Sequence, residues 1–76
     1  MNYRDHIVSD HKVILGKPVI KGTRLSVELI LRKLGEGATT DQLLTMYPGL
    51  EKESIQAVLM YAAELIANEE NLESAA

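Results

Sequence analysis

The hydrophobic pattern of the chain changes period once, near Ser26, and that change limits the folds open to it. Before it, residues 6–20 (HIVSDHKVILGKPVI) are rich in β-branched side chains that partly alternate with polar ones, as short strands do. Gly16-Lys17-Pro18 punctuates this stretch as a turn. Pro18 has no N–H to give a ladder, so it belongs at a strand start or on an edge. Two or three short strands between Ile7 and Lys21, forming a small hairpin, are the expected result. After Ser26, apolar residues recur at helical spacing as far as Ala67.

Three helices fit the second part. Ser26 is placed to N-cap the first, with Leu25 and Ile30 at the positions of a hydrophobic staple. Val27, Ile30, Leu31 and Leu34 share one face, and Gly35 and Gly37 end the helix. Leu29 falls off that face beside Lys33, where it meets either the hairpin or a partner subunit. The second helix opens at Thr39, which with Gln42 makes a capping box, and Asp41 suits the positive helix end. Its Leu43, Leu44 and Tyr47 face inward, and Pro48 stops it, because a residue before proline resists the helical region. The third helix is expected from about Lys52 to Ala67, with Ile55, Val58, Leu59, Ala62, Leu65 and Ile66 on its apolar side. Glu51, at its N-cap, is a poor capping residue. Residues 68–76 form an acidic tail expected to fray.

The expected fold is therefore mainly α with a small N-terminal β-hairpin: a three-helix, helix-turn-helix-like (winged-helix-like) domain. The second and third helices, joined by the tight Tyr47-Pro48-Gly49-Leu50 link, make the helix-turn-helix-like pair. Residues 1–76 form one domain, with a core over about 5–67. A chain of 76 residues has a thin core, and pairing into a homodimer is a common remedy. The sequence has no cysteine, hence no disulfide framework and no thiolate metal site. Its first residues are polar, and no apolar run approaches the ~20 residues of a membrane span. A cytoplasmic protein is the expectation.

Several kinds of chemistry lack their residues. A phosphate-cradling P-loop needs four residues between its glycines and then Gly-Lys-Ser/Thr in that order. Here five residues separate Gly16 from Gly22, Gly22 is followed by Thr23, and Pro18 removes an amide. The repeated pairs Asp5-His6 and Asp10-His11 suggest a metal site only weakly. His6 and His11 would point to opposite faces of one strand, and no third ligand follows at a telling spacing. Ser9, Ser26, Ser54 and Ser74 have no base-and-orienter context for nucleophilic catalysis. The reading is a non-enzyme without cofactor.

Charge is more informative. The net charge is −3, yet residues 1–35 carry net +4 and residues 36–76 carry net −7. A basic face and an acidic face follow, either of which could simply be solvated surface. In a helix-turn-helix, the start of the last helix enters the major groove. Here that start reads EKESIQ, with Glu51 and Glu53 opposing phosphate and only Lys52, Ser54 and Gln56 able to help. The better candidates for a nucleic-acid backbone are Lys12, Lys17, Lys21, Arg24, Arg32 and Lys33, on the hairpin and the first helix. Arg24 has an intramolecular option as well: pairing with Glu28, Asp41 or Glu64 would tie its turn to the helices.

The stretch GKPVIKGTR resembles the small prokaryotic family called domain of unknown function 433. The shared pattern is Gly16, Pro18, Val19, Ile20, Gly22, Thr23 and Arg24, then Gly37, Tyr47, Pro48, and Ala57, Tyr61 and Ala62, covering roughly residues 5–67. The resemblance implies a helix-turn-helix-like domain without established catalytic residues. It also implies an antitoxin-like or regulatory role beside a PIN-like nuclease, with that toxin protein and DNA as partners. Glu51 departs from the pattern, where a small hydroxyl residue is common. The tail 68–76 has no arginine to offer an acidic nuclease centre. A protein-interaction or dimerisation module that binds no DNA is the competing expectation.

Overall fold

The computed structural model describes residues 2–9 and 16–74, with side chains as far as Asn68. A 3-10 turn, Tyr3–Asp5, leads into strand β1, Ile7–Ser9, which pairs antiparallel with β2, Pro18–Ile20. Helices α1, Val27–Gly35, α2, Thr40–Met46, and α3, Lys52–Ser74, follow. The architecture is the expected one, three helices behind a two-stranded hairpin. In the register Ile7 faces Ile20, Val8 faces Val19 and Ser9 faces Pro18, so Pro18 opens its strand, where its missing N–H costs least. Val19 also bridges Ser26, which ties the hairpin to the mouth of α1.

The helix ends follow from local chemistry. The Ser26 hydroxyl accepts from the Leu29 N–H at 3.0 Å. Past α1, Gly37 takes φ 104°, and two hydrogen bonds close the end: Gly37 N–H to Leu34 C=O at 3.0 Å and Ala38 N–H to Lys33 C=O at 2.9 Å. That is the Schellman arrangement, which needs a residue tolerant of positive φ at this place. Thr39 and Gln42 form the full capping box, with bonds of 3.1 and 2.8 Å. Leu50 N–H to Tyr47 C=O, at 2.8 Å, closes the turn over Pro48-Gly49 that separates α2 from α3.

The core lies where the hairpin and all three helices meet. Ile7 and Ile20 enter it from the sheet, Val27 and Ile30 from α1, Leu43 from α2, and Ile55, Ala57 and Val58 from α3. Ile30 and Leu43 are fully shielded, each contributing about 1.5–3 kcal/mol of apolar burial. The 3-10 turn is held against α3 by Tyr3, whose ring meets Tyr61 edge-on at 5.7 Å and whose hydroxyl donates to Glu64 at 2.9 Å.

Helix α3 departs from expectation in two ways. It continues to Ser74 rather than ending near Ala67. No glycine or proline follows Gly49, and Glu, Leu and Ala sustain a helix. Leu59, Leu65 and Ile66, which their spacing places on the apolar side of the helix, are each about half exposed. Periodicity marks a face without saying how much of it another element covers. Its full length is about 34 Å, against about 14 Å for α1.

Candidate nucleic-acid interface

The link from β2 to α1 is a closed hydrogen-bonded turn. Thr23 N–H donates to Ile20 C=O at 3.0 Å, and the Thr23 hydroxyl donates to the same carbonyl at 2.8 Å. That hydroxyl in turn accepts from Leu25 N–H at 3.0 Å, while Ile20 N–H reaches Leu25 C=O at 2.9 Å. Gly22 sits at φ 82°, the left-handed region that a side chain disfavours. Gly22 and Thr23 thus have structural roles: one permits the reversal and the other latches it. Arg24, between the latch and α1, is exposed. Among the described residues it makes no ion pair, so the expected tie to Glu28, Asp41 or Glu64 is not formed. The turn aims its flanking residues at the helix start and leaves the guanidinium outside.

The other basic candidates divide into two groups. Lys17 and Arg32 converge on Glu28, with Lys17 Nζ 3.3 Å from Oε1 and Arg32 Nη2 3.0 Å from Oε2. Arg32 also donates its Nε–H to Oε2 at 3.1 Å. The hydrogen bonds from Arg32, then the one from Lys17, hold the Glu28 carboxyl below its ordinary pKa. All three side chains are more than half exposed, so the cluster is held by weak, solvent-screened attraction that a phosphate can replace. Lys21 and Lys33 belong with Arg24: neither has an ion-pair partner among the described residues. Arg32 and Lys33 lie about 100° apart around α1, on either side of Leu29, which is half-buried. Lys12, and with it Asp10 and His11, lies outside the described residues.

The start of α3 offers still less to DNA than its sequence suggests. Glu51, Lys52, Glu53 and Gln56 are exposed, but Ser54 is buried and drops out as a contact. Ser54 stands one helical turn before Val58 on the core stripe, a signal already present in the spacing. Beside the basic turn runs an apolar groove of about 580 Å³ between α1 and α3. Val27, Leu31, Tyr61, Ala62 and Leu65 line it, with Lys17, Glu28 and Arg32 at its edge. Sequence reasoning missed both this groove and the role of Glu28. An i,i+4 glutamate–arginine pair was the available clue to the latter. Among the described residues there is no group of three His, Asp or Glu side chains able to hold a metal, and no helix is long and apolar enough to cross a membrane.

The hairpin, the latched turn and the three helices define a small, mostly helical domain built around the Gly-Thr-Arg turn. The family described as "Protein of unknown function (DUF433)" matches residues 7–62, and the chain belongs to it. A crystal structure of a DUF433 member protein from Anabaena variabilis superposes with a TM-score of 0.77. That match is at 28% identity and covers 93% of this chain and 67% of that one. An uncharacterized protein of Sinorhizobium fredii, y4eO, is 29% identical over 59 residues, 78% of this chain. The chain spans about a quarter (27%) of the length of that curated relative.

Proposed function

We propose that this chain is a non-catalytic, helix-turn-helix-like binding protein that grips a nucleic-acid backbone with its hairpin and α1. In this reading it serves as the antitoxin or transcriptional-regulator component of a toxin–antitoxin pair with a PIN-like nuclease. The observation that carries the reading is Arg24, an unpaired guanidinium among the described residues, presented by a turn whose hydrogen bonds are internally closed. Lys21 and Lys33, on the same turn and helix segment of the chain, also make no ion pair among the described residues, and Lys17 and Arg32 share an exposed, exchangeable pairing to Glu28. The acidic α3 start supports approach by α1 and the hairpin rather than by the last helix.

The test is binding to DNA from upstream of its own gene across a salt series, with and without the neighbouring gene product. Phosphate contacts by Lys21, Arg24 and Lys33 give a log–log salt slope of about −2.7 per chain, and Arg24→Ala lowers it by about 0.9. Absence of binding at low salt in both conditions would refute the DNA contact. The net charge of −3 favours a second reading, a protein-interaction module without DNA, which expects a stable complex and no salt-dependent DNA affinity.

A further inference from the structure

We infer that the groove between α1 and α3, with the adjoining outer stripe of α3, is the docking surface for a second copy of this chain, α3 of each copy lying along the groove of the other. The shape of the domain is the first argument. A compact monomer of 8.4 kDa exposes about 4,600 Å², whereas this chain exposes 5499 Å². Its radius of gyration is 13.3 Å, against about 11.4 Å for a compact domain of this length. The surplus surface, roughly 900 Å², is close to the ~800 Å² that each partner hides in an interface of standard size.

Helix α3 carries most of the exposed large apolar side chains among the described residues. Its first turns bury Ser54, Ile55, Ala57 and Val58, but Leu59, Leu65 and Ile66 are about half exposed. With Ala62 they span an arc of roughly 120° on the helix, an apolar stripe of the width a packed helix presents. Leu65 belongs both to this stripe and to the wall of the groove. Ridge and groove therefore adjoin, and a two-fold axis near Leu65 would set the ridge of each copy against the groove of the other.

Charge selects the same occupant. Beyond Lys52 the sequence of α3 has no Lys or Arg, and it carries Glu64, Glu69, Glu70 and Glu73. These acids accumulate toward a helix C-terminus, where the backbone dipole is already negative and cations are wanted. The groove edge supplies them in Lys17 and Arg32, which the single Glu28 leaves with net positive charge. The distal half of α3 from a second copy is therefore an acidic amphipathic helix facing an apolar groove with a cationic edge.

Sedimentation equilibrium of the full chain checks this. The expected result is a species of twice 8.4 kDa with a micromolar or tighter dissociation constant. Replacing two half-exposed residues together, Leu65→Glu and Ile66→Glu, should weaken association at least 100-fold while circular dichroism stays helical. Gln56→Glu, exposed on the same helix and off the stripe, should leave it within about 2-fold. Should the double variant misfold, isotope-filtered NMR of mixed labelled and unlabelled wild-type chains gives an independent reading. Intermolecular contacts are then expected between the methyls of Ile66 and those of Leu31. A wild-type chain still monomeric at roughly millimolar concentration overturns the inference. So does a dimer untouched by the double variant, or a dimer without those methyl contacts. A monomer whose groove is filled only by another protein's helix overturns it too.

Discussion

Thr23→Val isolates what the latch contributes. Valine keeps the β-branched shape and nearly the volume of threonine, so packing is preserved and the hydroxyl alone is lost. Two hydrogen bonds go with it, one to Ile20 C=O at 2.8 Å and one from Leu25 N–H at 3.0 Å. Their losses are unequal. The Ile20 carbonyl keeps the Thr23 N–H at 3.0 Å and stays satisfied. Leu25 N–H has no second acceptor among the described residues, and the site is part-buried, so water replaces the bond only in part. An orphaned buried donor costs about 1–3 kcal/mol, and partial access places this one near ~2 kcal/mol. For a domain of this size that is a fall in Tm of roughly 8–16 °C. The assay is thermal and urea unfolding at one fixed protein concentration, since self-association shifts apparent stability. Thr23→Ser keeps the hydroxyl and should lose less than about 1 kcal/mol, chiefly the packing of one methyl. Valine unfolding with the wild-type midpoint, or serine as damaging as valine, would show that the latch does not hold the turn. A loss of nucleic-acid affinity beyond the unfolded fraction would in addition tie the geometry of Arg24 to binding.

Further outcomes follow from the same geometry. Gly22→Ala meets no atom within 4 Å, so its cost is the positive φ alone, about 1–2 kcal/mol; Gly35→Ala, helical and equally unobstructed, should stabilise by about 0.5–1 kcal/mol, and urea melts read both signs. Glu28→Gln releases Lys17 and Arg32, so DNA affinity should rise and the salt slope steepen by about 1.8 at most. Because the Glu28 carboxyl is lowered when folded, its pairing supports α1 above the ordinary carboxylate range and is lost as pH falls through the lowered value, which a helicity-against-pH titration follows. The phenol of Tyr3 is raised above its usual range, first by its hydrogen bond to Glu64 and then by burial. Its tie to α3 therefore holds below about pH 10 and is lost as pH rises through the folded value; Tyr3→Phe should flatten the alkaline part of the stability curve.

What could be read in advance was whatever depends on neighbours a few residues away. Ser26 and Thr39 cap because a hydroxyl just before a helix reaches its free N–H groups, and Gly22 and Gly37 turn because they have no side chain to obstruct a positive φ. Pro18 opens a strand for a reason contained in its own ring. What escaped depends on the whole fold. The spacing of Leu59, Leu65 and Ile66 defines a face of α3 without saying whether anything stands opposite. The distal end of α3 lacks a glycine or proline to mark it, so composition alone reads the acidic run as a tail. Charge pairing is equally tertiary. Lys17 reaches Glu28 across eleven residues because the hairpin folds back on α1, and Arg24 stays outside because the latched turn directs it there.

The two proposed surfaces share Lys17 and Arg32. Both lie at the edge of the apolar groove and both belong to the basic set of the hairpin and α1. A second copy seated in the groove would draw them toward the acids of its α3, and phosphate would compete for the same two side chains. Lys21, Arg24 and Lys33 are absent from the groove lining, so a dimer leaves this inner set free while committing the outer pair. A two-fold axis then presents two Arg24 turns related by symmetry, and the matching nucleic-acid site is a pair of inverted half-sites. The division of labour also has a sign. Salt weakens phosphate contact by counterion release, whereas an apolar groove holds its helix at high salt. Raising the salt should therefore strip the chain from nucleic acid while the dimer persists, which separates the basic turn from the groove without altering a residue.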